Sequence, residues 1–174
     1  METPLSPKRC TDPLSHTGYA LPVGQVDSGS MVTDARTSEY RSVVANVSEW
    51  ATSQGDIVAV GVVGSWARGD QHDDSDVDIV VITTNTTKYA ATDNWAESAV
   101  GQRIPLVRHA EWGVLTERRL QLPSGFEVEM GFGEPSWAAT DPVDSGTAEV
   151  VTNGGLLPIY DPDRLLVQLA RAVG

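Results

Sequence analysis

Two aspartates one residue apart, Asp76 and Asp78, stand at the head of an apolar run, Ile79-Val80-Val81-Ile82. Side chains at i and i+2 of a strand point to the same face, so both carboxylates project together while Val77 and Ile79 turn toward a core. Like charges held that close repel unless a cation lies between them. Hard divalent cations such as Mg²⁺ take oxygen ligands of this kind and complete their shell with water and substrate phosphates. Upstream, a mostly β-branched run from Ile57 to Val63 ends at Gly64-Ser65. A glycine there permits a sharp turn and close approach by a phosphate. Ser65 falls where a helix would begin, offering backbone N–H groups and a hydroxyl to an anion. The stretch reads as a metal–phosphate site. Arg68 is placed either to contact phosphate or to steady the acidic loop by pairing with Asp70 or Asp73, and the structural role is the favoured one. His72 and the acids Asp70, Asp73 and Asp74 read as a solvated loop, with Ser75 bonding to nearby backbone.

Gly64-Ser65, a spacer of ten residues (66–75) and then Asp76-Val77-Asp78 resemble the signature of the DNA polymerase β-like nucleotidyltransferases. Arg68-Gly69 and Ser75 make the stretch similar to the small bacterial members, the minimal and antibiotic nucleotidyltransferases. The resemblance is strong over roughly residues 36 to 82 and looser beyond. It implies transfer of a nucleoside monophosphate from an NTP to a hydroxyl, with AMP from ATP the first expectation. It implies two Mg²⁺ ions on Asp76 and Asp78, and β- and γ-phosphates held by Ser65 and nearby N–H groups, with Gly64 and Arg68 also in the nucleotide site. It further implies a third carboxylate on a neighbouring strand. Val128-Glu129-Met130 matches the apolar-acid-apolar setting, so Glu129 is the expected metal ligand and proton acceptor, with Glu standing where Asp is commoner. Glu127 shares its face and is the fallback.

The acceptor stays open: a small-molecule hydroxyl in a homodimer cleft, or a protein hydroxyl such as a toxin's tyrosine. A competing reading is an antitoxin-like binding module whose partner is a small helical toxin. Retention of a repulsive aspartate pair leans toward catalysis.

The elements that must position these residues are legible from period and punctuation. Tyr40, Val43, Val44, Val47, Trp50 and Ala51 fall on one face of a helix that Asp34 or Thr37 would cap and Gly55 would end. Residues 57–63 and 76–82 are strands, and Trp66-Ala67-Arg68 is a short helix closed by Gly69. A helix follows over Tyr89 to Val100. Leu106 to Trp112 and Val114 to Leu122 are strands, the second turning at Pro123-Ser124-Gly125 into Phe126 to Phe132. In that second strand Leu115, Glu117, Arg119 and Gln121 share one face, and Val114, Thr116, Arg118, Leu120 and Leu122 the other. Trp137 sits in a loop between Pro135 and Pro142. A short helix over Thr147 to Thr152, a strand over Leu156 to Tyr160 and a helix opening at Asp161-Pro162 complete the chain. The fold class is α/β (α+β): a mixed, mainly antiparallel twisted sheet with helices packed chiefly on one face.

The chain's 174 residues, 40% hydrophobic and 21% charged, suit one globular domain. Residues 1–33, rich in Pro, Ser, Thr and Gly without period, are expected to be a disordered tail, with Met31 an alternative start, and the resemblance implies a nucleotidyltransferase domain over residues 34–174. No apolar run approaches the ~20 residues a bilayer requires, and the opening residues lack a signal-peptide layout. Cys10 has no internal partner for a disulfide, so the expected setting is cytoplasmic. Acids outnumber bases 24 to 12, for a net charge of −12. Such a surface repels polyanions unless bases concentrate locally, and the dense basic spots are Arg103/Arg108 and Arg118-Arg119. A nucleic-acid partner is therefore disfavoured.

Overall fold

Apolar residues recurring every three or four positions build α1 (Asp34–Ser53), which buries Val43, Val47, Trp50 and Ala51. The computed structural model describes residues 32–104, 106–112 and 114–174. Most of the tail expected over residues 1–33, including Cys10 and Met31, lies outside the described residues. Val32 packs against the core, and Thr33 is the N-cap in place of Asp34 or Thr37, its side chain accepting from the Arg36 N–H. That choice is fixed from both sides, because the Thr33 N–H also donates to Asp73 at 2.7 Å. The helix ends at an extended Gln54, one residue before the glycine expected to stop it.

Six strands follow: β1 (Ile57–Val63), β2 (Val77–Thr83), β3 (Leu106–Trp112), β4 (Leu115–Gln121), β5 (Glu127–Gly133) and β6 (Leu157–Tyr160). They lie in the order β3-β4-β5-β2-β1-β6. Every neighbouring pair is antiparallel except β2 and β5, which run parallel. This is the mixed, mainly antiparallel sheet expected. The expected single helix over Tyr89 to Val100 is instead two, α3 (Thr86–Ala91) and α4 (Ala96–Val100). The break falls at Thr92-Asp93-Asn94, residues that favour turns over helix interiors because their side chains compete for backbone groups.

The larger core lies between the sheet and α1, α3 and α4. Val60, Val62, Val77, Ile79, Val81, Leu120, Val128, Met130 and Phe132 face it. Its centre is aromatic: Phe132 stacks on Tyr89 at 4.7 Å between ring centroids and meets the Trp95 ring edge-on at 4.8 Å. Trp50, on α1, closes the group against Tyr89 and Trp95. Helices also cover part of the opposite face. There α5 (Ser145–Gly154), α6 (Leu165–Val173) and a 3₁₀ turn (Pro135–Ala138) bury Ala59, Val80 and Ile82 beneath Trp137, Val151, Leu166 and Leu169. Asp144 caps α5, accepting from Gly146 and Thr147. α6 begins later than Asp161-Pro162; Asp161 instead reaches forward to accept from the Val167 N–H at 3.0 Å. Among the described residues no helix is long and apolar enough to cross a membrane.

The second layer covers β1 and β2 but leaves the β4–β5 side of that face open, and the charged side chains gather there. Phe132 fixes the aromatic layer on the far side of the same strand. We expect Phe132→Ala to cost about 3–5 kcal/mol of unfolding free energy, the usual loss for a fully buried phenylalanine. Urea unfolding would check this; a change below about 1 kcal/mol would mean that the ring stack is not a principal part of the core.

Candidate active site

Three local constraints shape the turn after β1. Gly64 has φ 75°, a conformation L side chains rarely adopt, and a Cβ there would lie 2.2 Å from Asp78 Oδ2. Only a glycine lets the backbone pass the second aspartate. Ser65 opens the four-residue helix α2 (Ser65–Arg68), which Gly69 closes in the left-handed region by donating to Ser65 O. Trp66 anchors this turn in the core, stacked on Tyr40 at 4.1 Å and edge-on to Phe126. Arg68 takes the structural role: its Nε donates to Asp70 at 3.0 Å and its Nη1 to Asn153 O, near the C-terminus of α5, at 2.9 Å. The α5 terminus crowds the turn from above, since a Cβ on Gly154 would lie 3.2 Å from Gly64 N.

The parallel pairing of β2 with β5 sets Asp78 directly beside Glu129. Asp76 enters one residue before β2. Ligand oxygens of Asp76, Asp78 and Glu129 all lie within 4.8 Å of one another, each on a partly buried residue. Glu127 is not in this group. It lies two residues away on the same face, about 6.5–7 Å along the strand, and accepts from Arg119 at 2.7 Å and Gln121 at 3.3 Å. His72, Asp70, Asp73 and Asp74 also stay outside it. The His72 N–H donates to Ser75 Oγ at 2.9 Å, so Ser75 does shape the loop.

Burial, and then the neighbouring Asp76 charge, push the Asp78 carboxyl up to about 6; the Arg119 guanidinium pulls the other way. An all-oxygen cluster of mutually repelling carboxylates, one of them reluctant to ionise alone, is a donor set suited to a hard divalent cation.

The structure adds residues that the sequence reading did not assign to the site. The β4–β5 register places Arg119 opposite Glu129. Arg119 Nη2 contacts the Glu129 carboxylate and lies 3.6 Å from Asp76 Oδ2. Arg108, on β3, donates to the buried Glu117 at 2.5 Å and lies 3.8 Å from Glu129. A cleft of about 500 Å³ opens beside Asp78 and Glu129. Val80 and Gly131 form its floor, and Leu115, Glu117, Trp137 and Val150 its walls. Gly131 has no side chain to fill this space.

Residues 46–127 match the family model of the nucleotidyltransferase domain. No curated protein matches the chain significantly. Among solved structures, Cid1 in complex with the UTP analog UMPNPP is similar at 17% identity and a TM-score of 0.43, covering 58% of this chain and 31% of that one. A cytoplasmic RNA terminal U-transferase is similar at 16% identity and a TM-score of 0.44, over 58% of this chain and 30% of that one. A nucleotidyltransferase-like protein from Exiguobacterium sibiricum 255-15 covers more of the chain, 76% against 37% of its own length, at 14% identity and a TM-score of 0.39. The similarity thus spans about a third of the length of these proteins.

The raised Asp78 carboxyl has a stability consequence whose sign is fixed. Its folded value, about 6, exceeds the ordinary 3.8 of the unfolded chain, so between those values the folded form holds a proton that the unfolded form has released. Stability without metal therefore falls as pH rises through that window. Asp78→Asn should raise the unfolding free energy at pH 7.5 by about 1–3 kcal/mol, and the gain should shrink as pH falls toward 4. Thermal melts in EDTA across that range would test this. An equal gain at every pH would show that ionisation of Asp78 is not the cause.

Proposed function

We propose that the chain, whose residues 46–127 match the nucleotidyltransferase domain model, transfers a nucleoside monophosphate, AMP from ATP in the first instance, to a hydroxyl acceptor with release of pyrophosphate. The observation that carries this reading is the convergence of Asp76, Asp78 and Glu129 beside a turn that only Gly64 can make. Asp76, Asp78 and Glu129 would hold divalent metal, Mg²⁺ by donor type and two ions by resemblance. When bound, the metal supplies Lewis-acid charge that offsets the negative charge gathering on the reacting phosphate oxygens.

The remaining work falls to the chain itself. Backbone N–H groups and the hydroxyl at Ser65 would orient the β- and γ-phosphates, with Gly64 allowing their close approach. Arg68 would act by fixing the loop and the end of α5 rather than by touching phosphate. Glu129 would accept the proton of the acceptor hydroxyl as its oxygen bonds to the α-phosphorus. The bond from that phosphorus to the bridging oxygen breaks, and pyrophosphate leaves. The cleft beside Asp78 and Glu129 is the proposed acceptor entrance. Its apolar walls and the carboxylates of Glu117 and Glu149 favour a neutral or cationic acceptor over a polyanion.

The test is incubation with each α-labelled NTP, Mg²⁺ and cell extract, followed by a search for labelled product. We expect label from ATP. Glu129→Gln should bind ATP nearly as the wild type does, yet lose ~10² to 10⁴ in rate, the usual contribution of a positioned general base. Glu127→Gln should stay within a few-fold at saturating Mg²⁺. Undiminished transfer by Glu129→Gln would overturn the assignment of that residue.

A further inference from the structure

The geometry points to Arg119 as a positioning residue of this site: its guanidinium takes the place of a divalent ion among the carboxylates when none is bound, and Glu127 is the carboxylate to which it withdraws when one binds. This inference rests on the metal-dependent reading above. Three contacts carry it. Arg119 Nη2 touches Glu129 and lies 3.6 Å from Asp76, so it addresses two of the three candidate metal ligands. Arg119 Nη1 donates to Glu127 at 2.7 Å, outside the cluster. One guanidinium therefore spans the site and a neighbouring acceptor.

The surroundings favour movement between these positions. Arg119 Nε is shut off from solvent and makes no hydrogen bond, so the group is held by its two terminal nitrogens and not by its full fork. A buried donor left unpaired marks an arrangement that is not the best available to that side chain. Cross-strand pairing fixes the Arg119 backbone opposite Glu129. Glu127 lies one diagonal step away on the same face, within reach of a long side chain. Rotation of the terminal torsions alone could move Nη2 off Glu129 while keeping Nη1 on Glu127. The guanidinium and an entering metal ion compete for the oxygens of Glu129 and Asp76 that Arg119 already addresses. Metal entry must therefore break an internal ion pair. Bare metal would bind weakly, and metal arriving with a triphosphate, which brings its own oxygen ligands, would bind well. Arg119 thus couples metal occupancy to nucleotide.

The probe is Mn²⁺, with free ion counted by electron paramagnetic resonance and no activity measured. Without nucleotide, Arg119→Met should bind Mn²⁺ at least about tenfold more tightly than the wild type, a difference of about 1.4 kcal/mol. With a non-hydrolysable ATP analogue the difference should narrow to a few-fold. Glu127→Gln should weaken Mn²⁺ binding several-fold, because Arg119 loses its alternative partner. The double variant should behave like Arg119→Met alone, since Glu127 acts only through Arg119. Arg119→Gln serves as a second uncharged variant, and circular dichroism shows whether each is folded. Arg119 variants that bind Mn²⁺ no more tightly than wild type would overturn the proposal. So would a Glu127→Gln protein that binds it more tightly, a result that stands even if the Arg119 variants do not fold. Failure of every protein to bind Mn²⁺, with or without the analogue, would overturn the metal site itself and this inference with it.

Discussion

Parallel pairing of β2 with β5 brings Asp78 and Glu129 side by side, with Asp76 at the strand entrance, and the repulsion among these three carboxylates is what the surrounding structure has to accommodate. It does so with charge and with packing. Guanidinium groups from two further strands, Arg119 and Arg108, lean into the cluster. Asp78 holds its proton to a higher pH than an exposed carboxyl would. The opposite face of the same two strands is locked by a dense apolar and aromatic layer, in which Val77, Ile79, Val128 and Met130 are essentially inaccessible. The alternation of side chains along a strand lets one pair of elements carry both a strained polar site and the core that stabilises it.

The approach to this cluster is just as constrained. Gly64 skirts Asp78, Trp66 pins the turn against Tyr40, and Arg68 ties it to α5. The backbone of this turn is thus held from the core side by an indole and from the other side by the end of a helix. Pre-organisation of this kind matters in phosphoryl-type transfer, where the protein contributes mainly positioning and electrostatics. Gly131 leaves open the volume next to the carboxylates.

Much of this could be read in the sequence because it is local. The spacing of Asp76 and Asp78, the Gly64-Ser65 turn and the stripe of α1 are short-range patterns governed by strand and helix periods. The preference for Glu129 over Glu127 rested on the family resemblance, since both glutamates have apolar neighbours, and the structure places Glu129, not Glu127, in the cluster. What escaped the reading was mostly non-local. The break between α3 and α4 is the local exception, signalled by Thr92-Asp93-Asn94, while the packing of Tyr89 and Trp95 on Phe132 fixes where the two helices sit. The second helical layer depends on where β6 and α6 fold back. The position of Arg119 was more accessible. Leu122 donates to Phe126 O across the Pro123-Ser124-Gly125 turn, and counting outward from that pair puts Arg119 opposite Glu129.

The two adjacent arginines of β4 carry one more implication. Arg118 is buried on the aromatic side, donating to Ala90 O at 2.6 Å and to Glu117 O at 2.9 Å, while Arg119 faces the carboxylates. A slip of one residue between β4 and β5 would exchange them, since it flips every side chain to the other face. Either arginine would then meet a partner set built for the other. The pairing closed by the short turn at residues 123–125 therefore sets the site and the core together: any shift of β4 by one residue against β5 would disturb both in the same stroke.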